Sequence, residues 1–98
     1  MLKQRMVKND CMNNQILDTI KLASRTQTIL RIIYTEKDGT SEGWRYVEPY
    51  SFRGEGENEA LFAWDVHKDG IRRFTLSRIN QSETTSDIFS PRYPIEIT

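Results

Sequence analysis

The sequence predicts a mostly β fold: one N-terminal helix and about five strongly bent antiparallel strands curled into a small barrel. Three observations predict it. The stretch Gly70-Ile71-Arg72-Arg73-Phe74-Thr75-Leu76-Ser77-Arg78-Ile79 alternates as a strand does, which places Arg72, Phe74, Leu76 and Arg78 on one side. Thr28-Ile29-Leu30-Arg31-Ile32-Ile33-Tyr34-Thr35 is rich in β-branched residues. Two Asp-Gly pairs, Asp38-Gly39 and Asp69-Gly70, stand where hairpin turns would join such strands. Closure or near-closure is how a small sheet of this kind protects its edges.

Each element follows in chain order. Residues 1–12 hold no sustained hydrophobic period and are expected to form a flexible arm, leaving 13–98 as the domain. Asn13 or Asn14 caps a helix expected over about 14–24, with Ile16, Ile20 and Ala23 as its apolar stripe. So short a helix must dock, because isolated helices below about 12–15 residues are marginal in water. The strand over 28–35 puts Leu30, Ile32 and Tyr34 on its core face. Asp38-Gly39 suits a type I′ turn, and the chain returns from about Gly43 to Pro49. Pro49 cannot donate to a ladder, so that strand is expected to end there or lie at an edge. Arg53 to Glu59 is a loop with three carboxylates, and it lacks the third glycine of a dinucleotide fingerprint. Ala60-Leu61-Phe62-Ala63-Trp64-Asp65-Val66 reads as a buried strand with Phe62 inward. After the strand over 71–79, Asn80 to Asp87 is a polar short strand or bend. The tail from Ile88 to Ile97 is extended, its two prolines argue against a helix, and Phe89, Tyr93 and Ile95 are its anchors. Expected core residues are Leu30, Ile32, Tyr34, Val47, Phe62, Phe74 and Leu76.

Composition narrows the function. Ninety-eight residues make one domain, which buries only about 60–65% of its unfolded surface. The formal net charge is zero, so no bulk field draws the chain to DNA or membrane, and any phosphate binding must come from local clustering. The single cysteine, Cys11, excludes an intramolecular disulfide and a zinc site of cysteines, and reads as a neutral thiol in the arm. No apolar run approaches the roughly 20 residues of a membrane span. The first ten residues are not a signal peptide, so a cytoplasmic location is expected. Asn80-Gln81-Ser82 is then a chance match to a glycosylation acceptor.

The order of these pieces resembles the WYL domain of bacterial and archaeal regulators over about 14–97. The pieces that carry the resemblance are the helix followed by Leu30-Arg31-Ile32-Ile33-Tyr34, then Arg45-Tyr46-Val47-Glu48-Pro49, Leu61-Phe62-Ala63-Trp64-Asp65 and Arg72-Arg73-Phe74-Thr75-Leu76-Ser77-Arg78-Ile79. The tryptophan–tyrosine–leucine that names the family falls near Glu59-Ala60-Leu61, where only the leucine remains. The resemblance implies an Sm-like or SH3-like barrel that binds a nucleotide or single-stranded nucleic acid and regulates an attached or partner effector. Members usually carry a winged helix-turn-helix ahead of this domain. Here it is expected to stand alone, as the sensor half.

Arg45, Arg72 and Arg78 sit at matching motif positions and are the candidate ligand-binding residues, with Arg53 and Arg73 as possible extensions of a basic rim. A guanidinium fork binds phosphate bidentately and stacks on bases. The competing role for each is a structural ion pair, with Glu48 and Asp65 as partners, and Arg45 leans towards it. Tyr34, Tyr46 and Trp44 are base-stacking candidates, although aromatics in so small a domain serve the core first. His67 has no second imidazole or nearby cysteine, so no metal site is expected, and no cofactor. No nucleophile has a base within a known motif, and the carboxylates at Glu55, Glu57 and Glu59 lie in a solvated loop, so an enzyme ranks last. Two readings precede it. One is a sensor of a nucleotide or single-stranded nucleic acid. The other is an interaction module that forms a homo-oligomer or docks on an effector protein through a free strand edge.

Overall fold

The structure, a computed structural model, describes residues 2–97, with side chains from Asn14 onward. Helix α1 runs Leu2–Thr26 and contains the segment expected at 14–24. The helix thus begins within the segment 1–12 expected to be a flexible arm ahead of it, and the side chains there lie outside the described ones. Gln27, in the left-handed region at φ 55°, ends the helix and turns the chain directly into the first strand. Ile20 and Ala23 are fully buried in the core, so the expected segment docks on the sheet although the helix is longer than expected.

Five antiparallel strands follow: β1 Thr28–Tyr34, β2 Trp44–Arg53, β3 Ala60–Asp65, β4 Gly70–Thr75 and β5 Ile79–Ile88. Their order across the sheet is β4-β3-β2-β1-β5. The two edge strands, β4 and β5, are joined by only the 3₁₀ turn Leu76–Arg78. Four inter-strand gaps would separate the edges of a flat sheet by about 19 Å. Three residues of 3₁₀ helix rise about 6 Å. The sheet must therefore curl until its edges approach. Tyr34 on β1 marks the curl: its hydroxyl accepts the Thr75 amide of β4 at 3.0 Å, and its ring meets Phe74 edge-on at 5.0 Å. The expected mostly β fold with bent antiparallel strands forms, but β4 and β5 share no ladder, so the curl stops short of closure.

Several local expectations are corrected. The strand expected to run unbroken over 71–79 stops at Thr75, so Leu76 and Arg78 leave the row of Arg72 and Phe74. On β3 the inward residues are Leu61, Ala63 and Asp65, while Phe62 and Trp64 face the other way and are only half-buried. Leu76 is also half-buried, and Leu30, Ile32, Tyr34, Val47 and Phe74 are in the core as expected. Pro49 neither ends β2 nor lies on an edge strand. The β1 ladder reaches only Val47, so Pro49 sits where no amide is required on that side, and a bulge between Pro49 and Ser51 re-registers β2 on β3. Neither Asp-Gly pair forms a type I′ turn, which needs positive φ at both residues. In the first, only Gly39 has it, and in the second only Asp69. Of the short strand or bend expected over 80–87, the strand forms, as part of β5.

The tail crosses the outer face of β2 and β3. Phe89 is buried there, the Glu96 amide donates to the Tyr50 carbonyl at 2.8 Å, and the end of the tail joins the core cluster through Ile97, with Ile95 packed against it. Arg92 donates to Glu48 Oε1 at 3.1 Å and lies 4.3 Å from the Trp64 ring. Glu48 and Tyr50 are thereby enclosed on a face that alternation alone would leave to solvent.

Candidate functional site

The inward rows of four strands each end in a charged residue. On β1 the row Leu30, Ile32, Tyr34 continues past the strand end to Glu36, and on β2 Val47 is preceded by Arg45. On β3 Leu61 and Ala63 lead to Asp65, and on β4 Phe74 is preceded by Arg72. Antiparallel pairing brings these ends together, with Ile32 opposite Arg45, Val47 opposite Asp65 and Ala63 opposite Arg72. A polar layer thus caps the apolar core at one end of the curled sheet.

Arg45 is the centre of that layer. Its side chain is 3% exposed. Nη1 donates to Glu36 Oε2 at 2.7 Å and Nη2 to Asp65 Oδ2 at 3.1 Å. The guanidinium carbon lies 5.0 Å from the centre of the Phe74 ring, which suits a cation over a π face. Burial alone would lower the Arg45 pKa, but the hydrogen bonds to Glu36 and Asp65 outweigh it and raise it, so the charge is held. Asp65, also buried, accepts the amides of His67 and Lys68 on its other oxygen, both at 3.1 Å, and so fixes the turn into β4. Arg45 Nε is buried with no hydrogen-bond partner among the described residues.

Glu36 is where three of the candidate arginines meet. Besides Arg45, Arg72 Nη2 lies 3.9 Å from the same carboxylate oxygen. Arg78 Nη1 donates to the Glu36 main-chain carbonyl at 3.1 Å, and the Arg78 carbonyl accepts the Thr35 amide. Arg78 therefore ties the 3₁₀ turn to the end of β1. Beside this junction opens a cleft of about 490 Å³, lined by the cations Lys37, Arg72 and Arg73, the acids Glu36, Asp38 and Glu42, and Tyr34 and Thr75. Arg73 donates to the Asn58 carbonyl at 2.7 Å and to the Thr75 hydroxyl at 3.2 Å. Arg53 lies apart. It is exposed at the far end of β2 and pairs with Glu96 of the tail. Trp44 and Tyr46 are on the outer face, where Arg31 stacks 4.2 Å above Trp44 and Tyr46 meets His67 edge-on.

Glu36 and Lys37 were not singled out from the sequence, where an acid after a strand reads as solvated. The signal was present nonetheless, since Glu36 keeps the two-residue period of Leu30, Ile32 and Tyr34. Among the described residues no group of three histidine, cysteine, aspartate or glutamate side chains could hold a metal ion. Nor is any described helix long and apolar enough to cross a membrane.

The model of the WYL domain matches residues 15–84. The chain belongs to the WYL domain family. No curated protein matches it. This WYL domain is similar in fold to part of proteasome accessory factor B/C (PafBC) of Arthrobacter aurescens, with a TM-score of 0.70 and 22% identity. The similarity covers 84% of this chain and 14% of that one, so the domain matches a small part of a much longer protein. At the family's signature position, Ala60 and Leu61 are both fully buried, so Leu61 serves the core there.

Proposed function

We propose that this WYL domain is a non-catalytic regulatory module that senses an anionic ligand, a nucleotide or a short stretch of single-stranded nucleic acid, in the cleft beside Glu36. The observation that carries the reading is the convergence of Arg45, Arg72 and Arg78 on one residue at the mouth of a cleft also lined by Lys37 and Arg73. The lining sets three cations, Lys37, Arg72 and Arg73, against three acids, Glu36, Asp38 and Glu42, so the positive charge is concentrated at the arginine side and not spread over the cleft. The roles divide by burial. Arg45 and Arg78 hold the frame, while Arg72, about one-third exposed and only loosely paired at 3.9 Å, is placed to grip a phosphate with its fork. The volume lies within the ordinary range of ligand pockets, about 300–1,000 Å³. Family membership and the likeness to a segment of PafBC support a regulatory setting.

Titration with mononucleotides and short oligothymidylates at low salt tests this. If Arg72, Arg73 and Lys37 together neutralise about three phosphates of a single strand, log affinity falls with log salt at a slope of about −2. Arg72→Ala weakens binding and flattens the slope while the domain stays folded at the assay temperature. Absence of binding to wild type by every probe at millimolar concentration would sink the reading. The unpaired outer edges of β4 and β5 favour a second reading, a module that pairs edge to edge with another copy or an effector. Gel filtration of the ligand-free chain as a dimer would favour it.

A further inference from the structure

We infer that Glu36 is a built-in occupant of the anion site: its carboxylate holds the position a ligand phosphate takes, and binding proceeds by exchange of the two. This rests on the proposed anion-sensing role of the cleft and specifies how that site is regulated. Three acids line the cleft, and only Glu36 bonds directly to the arginines, Glu42 acting on Arg45 through its charge at longer range. Asp38 accepts from the amide and hydroxyl of Thr40 at 3.0 and 2.7 Å, which also holds its carboxyl below the usual carboxylate range. Glu42 pairs with Lys68 at 3.2 Å. Glu36 alone reaches inward, to 2.7 Å from Arg45 and 3.9 Å from Arg72. Since Arg45 is almost wholly enclosed, the donor it aims at Glu36 is available to an incoming anion only if that carboxylate leaves.

The backbone allows such an exchange without rearranging the fold. The Glu36 amide donates to the Thr40 carbonyl, and its own carbonyl accepts from the Gly39 amide and from Arg78. The main chain is thus pinned at three hydrogen bonds, and only the side chain, about one-third exposed, has to swing outward. A phosphate, with more acceptor oxygens than a carboxylate, can take the Nη1 donor of Arg45 and the fork of Arg72 together. The contact is therefore autoinhibitory: it keeps the buried cation satisfied in the empty state and sets the threshold that a ligand must exceed.

The test compares wild type with three variants, using inorganic phosphate, thymidine monophosphate and a fluorescent twelve-residue oligothymidylate at fixed low salt. Glu36→Gln keeps a neutral acceptor for Arg45 but removes the competing charge, and should tighten binding of the phosphate-bearing probes by about tenfold. Glu36→Asp keeps the charge but withdraws it by one methylene, and should tighten binding by a smaller factor. Should the glutamine variant fail to fold, the aspartate variant carries the test. Glu42→Gln removes the same charge from the same cleft without breaking a hydrogen bond or ion pair to the arginines, and should tighten binding clearly less than Glu36→Gln does. Equal tightening by Glu42→Gln and Glu36→Gln would show a general charge effect and overturn the exchange. So would wild-type binding that is weakened by Arg72→Ala yet not tightened by either Glu36 variant, an outcome that leaves the sensing role standing. Failure of wild type to bind any probe removes the sensing role itself, and the exchange with it.

Discussion

Two arginines that look alike in the sequence do different work. Arg45 and Arg72 each precede an inward apolar residue by two positions, but Arg45 lies on the central strand and is enclosed, whereas Arg72 lies on an edge strand at the cleft. Removing one partner of a buried pair leaves an uncompensated charge, which costs about 3–5 kcal/mol. Arg45→Ala should therefore destabilise the domain by about that amount in chemical denaturation, because Asp65 is left buried opposite an empty space. Arg72→Ala should cost no more than about 1 kcal/mol, as a loosely paired, partly exposed ion pair does. If the two variants were equally stable, the polar layer would not be the support of the core that its burial indicates. Phe74, fully buried between Tyr34 and Arg45, should cost about 3–5 kcal/mol on truncation to alanine.

At the scale of elements, glycine geometry separates a turn that tolerates a side chain from one that does not. Gly54 and Gly39 both sit at positive φ, 87° and 88°. A Cβ on Gly39 meets nothing within 4 Å, whereas on Gly54 it would stand 2.6 Å from the Asn58 carbonyl oxygen. Gly39→Ala should carry only the left-handed penalty of about 1–2 kcal/mol, and Gly54→Ala should lower Tm clearly further, because backbone must shift as well. Equal losses would show that the loop before β3 opens freely. What the sequence disclosed and what it hid divide on the same physical line. Strand identity was legible in Leu30-Arg31-Ile32-Ile33-Tyr34, where period and β-branching agree. Facing was not legible on β3: Leu61-Phe62-Ala63-Trp64 is apolar on both faces, and the register is set by a bulge near Pro49 and by a tail distant in sequence. The end of β4 was hidden because Phe74-Thr75-Leu76-Ser77-Arg78 keeps its alternation through the 3₁₀ turn. Of the polar layer, the arginines stood out in the sequence, and Arg45 pairs with Asp65, one of the two acids weighed as partners. The convergence on Glu36 was not, since it depends on which strand ends the curl brings together.

The whole molecule is held from both sides: α1 closes the inner face of the curled sheet, and the tail closes part of the outer one. The outer closure is polar at its centre. The Tyr50 hydroxyl donates to Glu48 Oε1 at 2.7 Å and accepts the Arg92 amide at 2.8 Å, while the Arg92 side chain donates to the same carboxylate. Burial above all pushes the Tyr50 hydroxyl up to about 12. The hydrogen bond to Glu48 adds to the rise, and the Arg92 amide opposes it. The neutral phenol is thus favoured in the folded state relative to an unfolded value near 10. Its contribution is complete below about pH 10 and is lost as pH rises from there towards 12, because ionised Tyr50 would face Glu48 without a proton to share. Tyr50→Phe keeps the ring against Phe89 and Tyr93 but has nothing to titrate. Denaturation curves taken from pH 9 to 12 should show wild type losing about 2–3 kcal/mol more than the phenylalanine variant across that window. Fluorescence of Trp64, which Arg92 covers, should change over the same interval if the tail lifts as the hydroxyl ionises. Parallel pH profiles for the two proteins would mean that the tail stays down and that Tyr50 is not what fastens it.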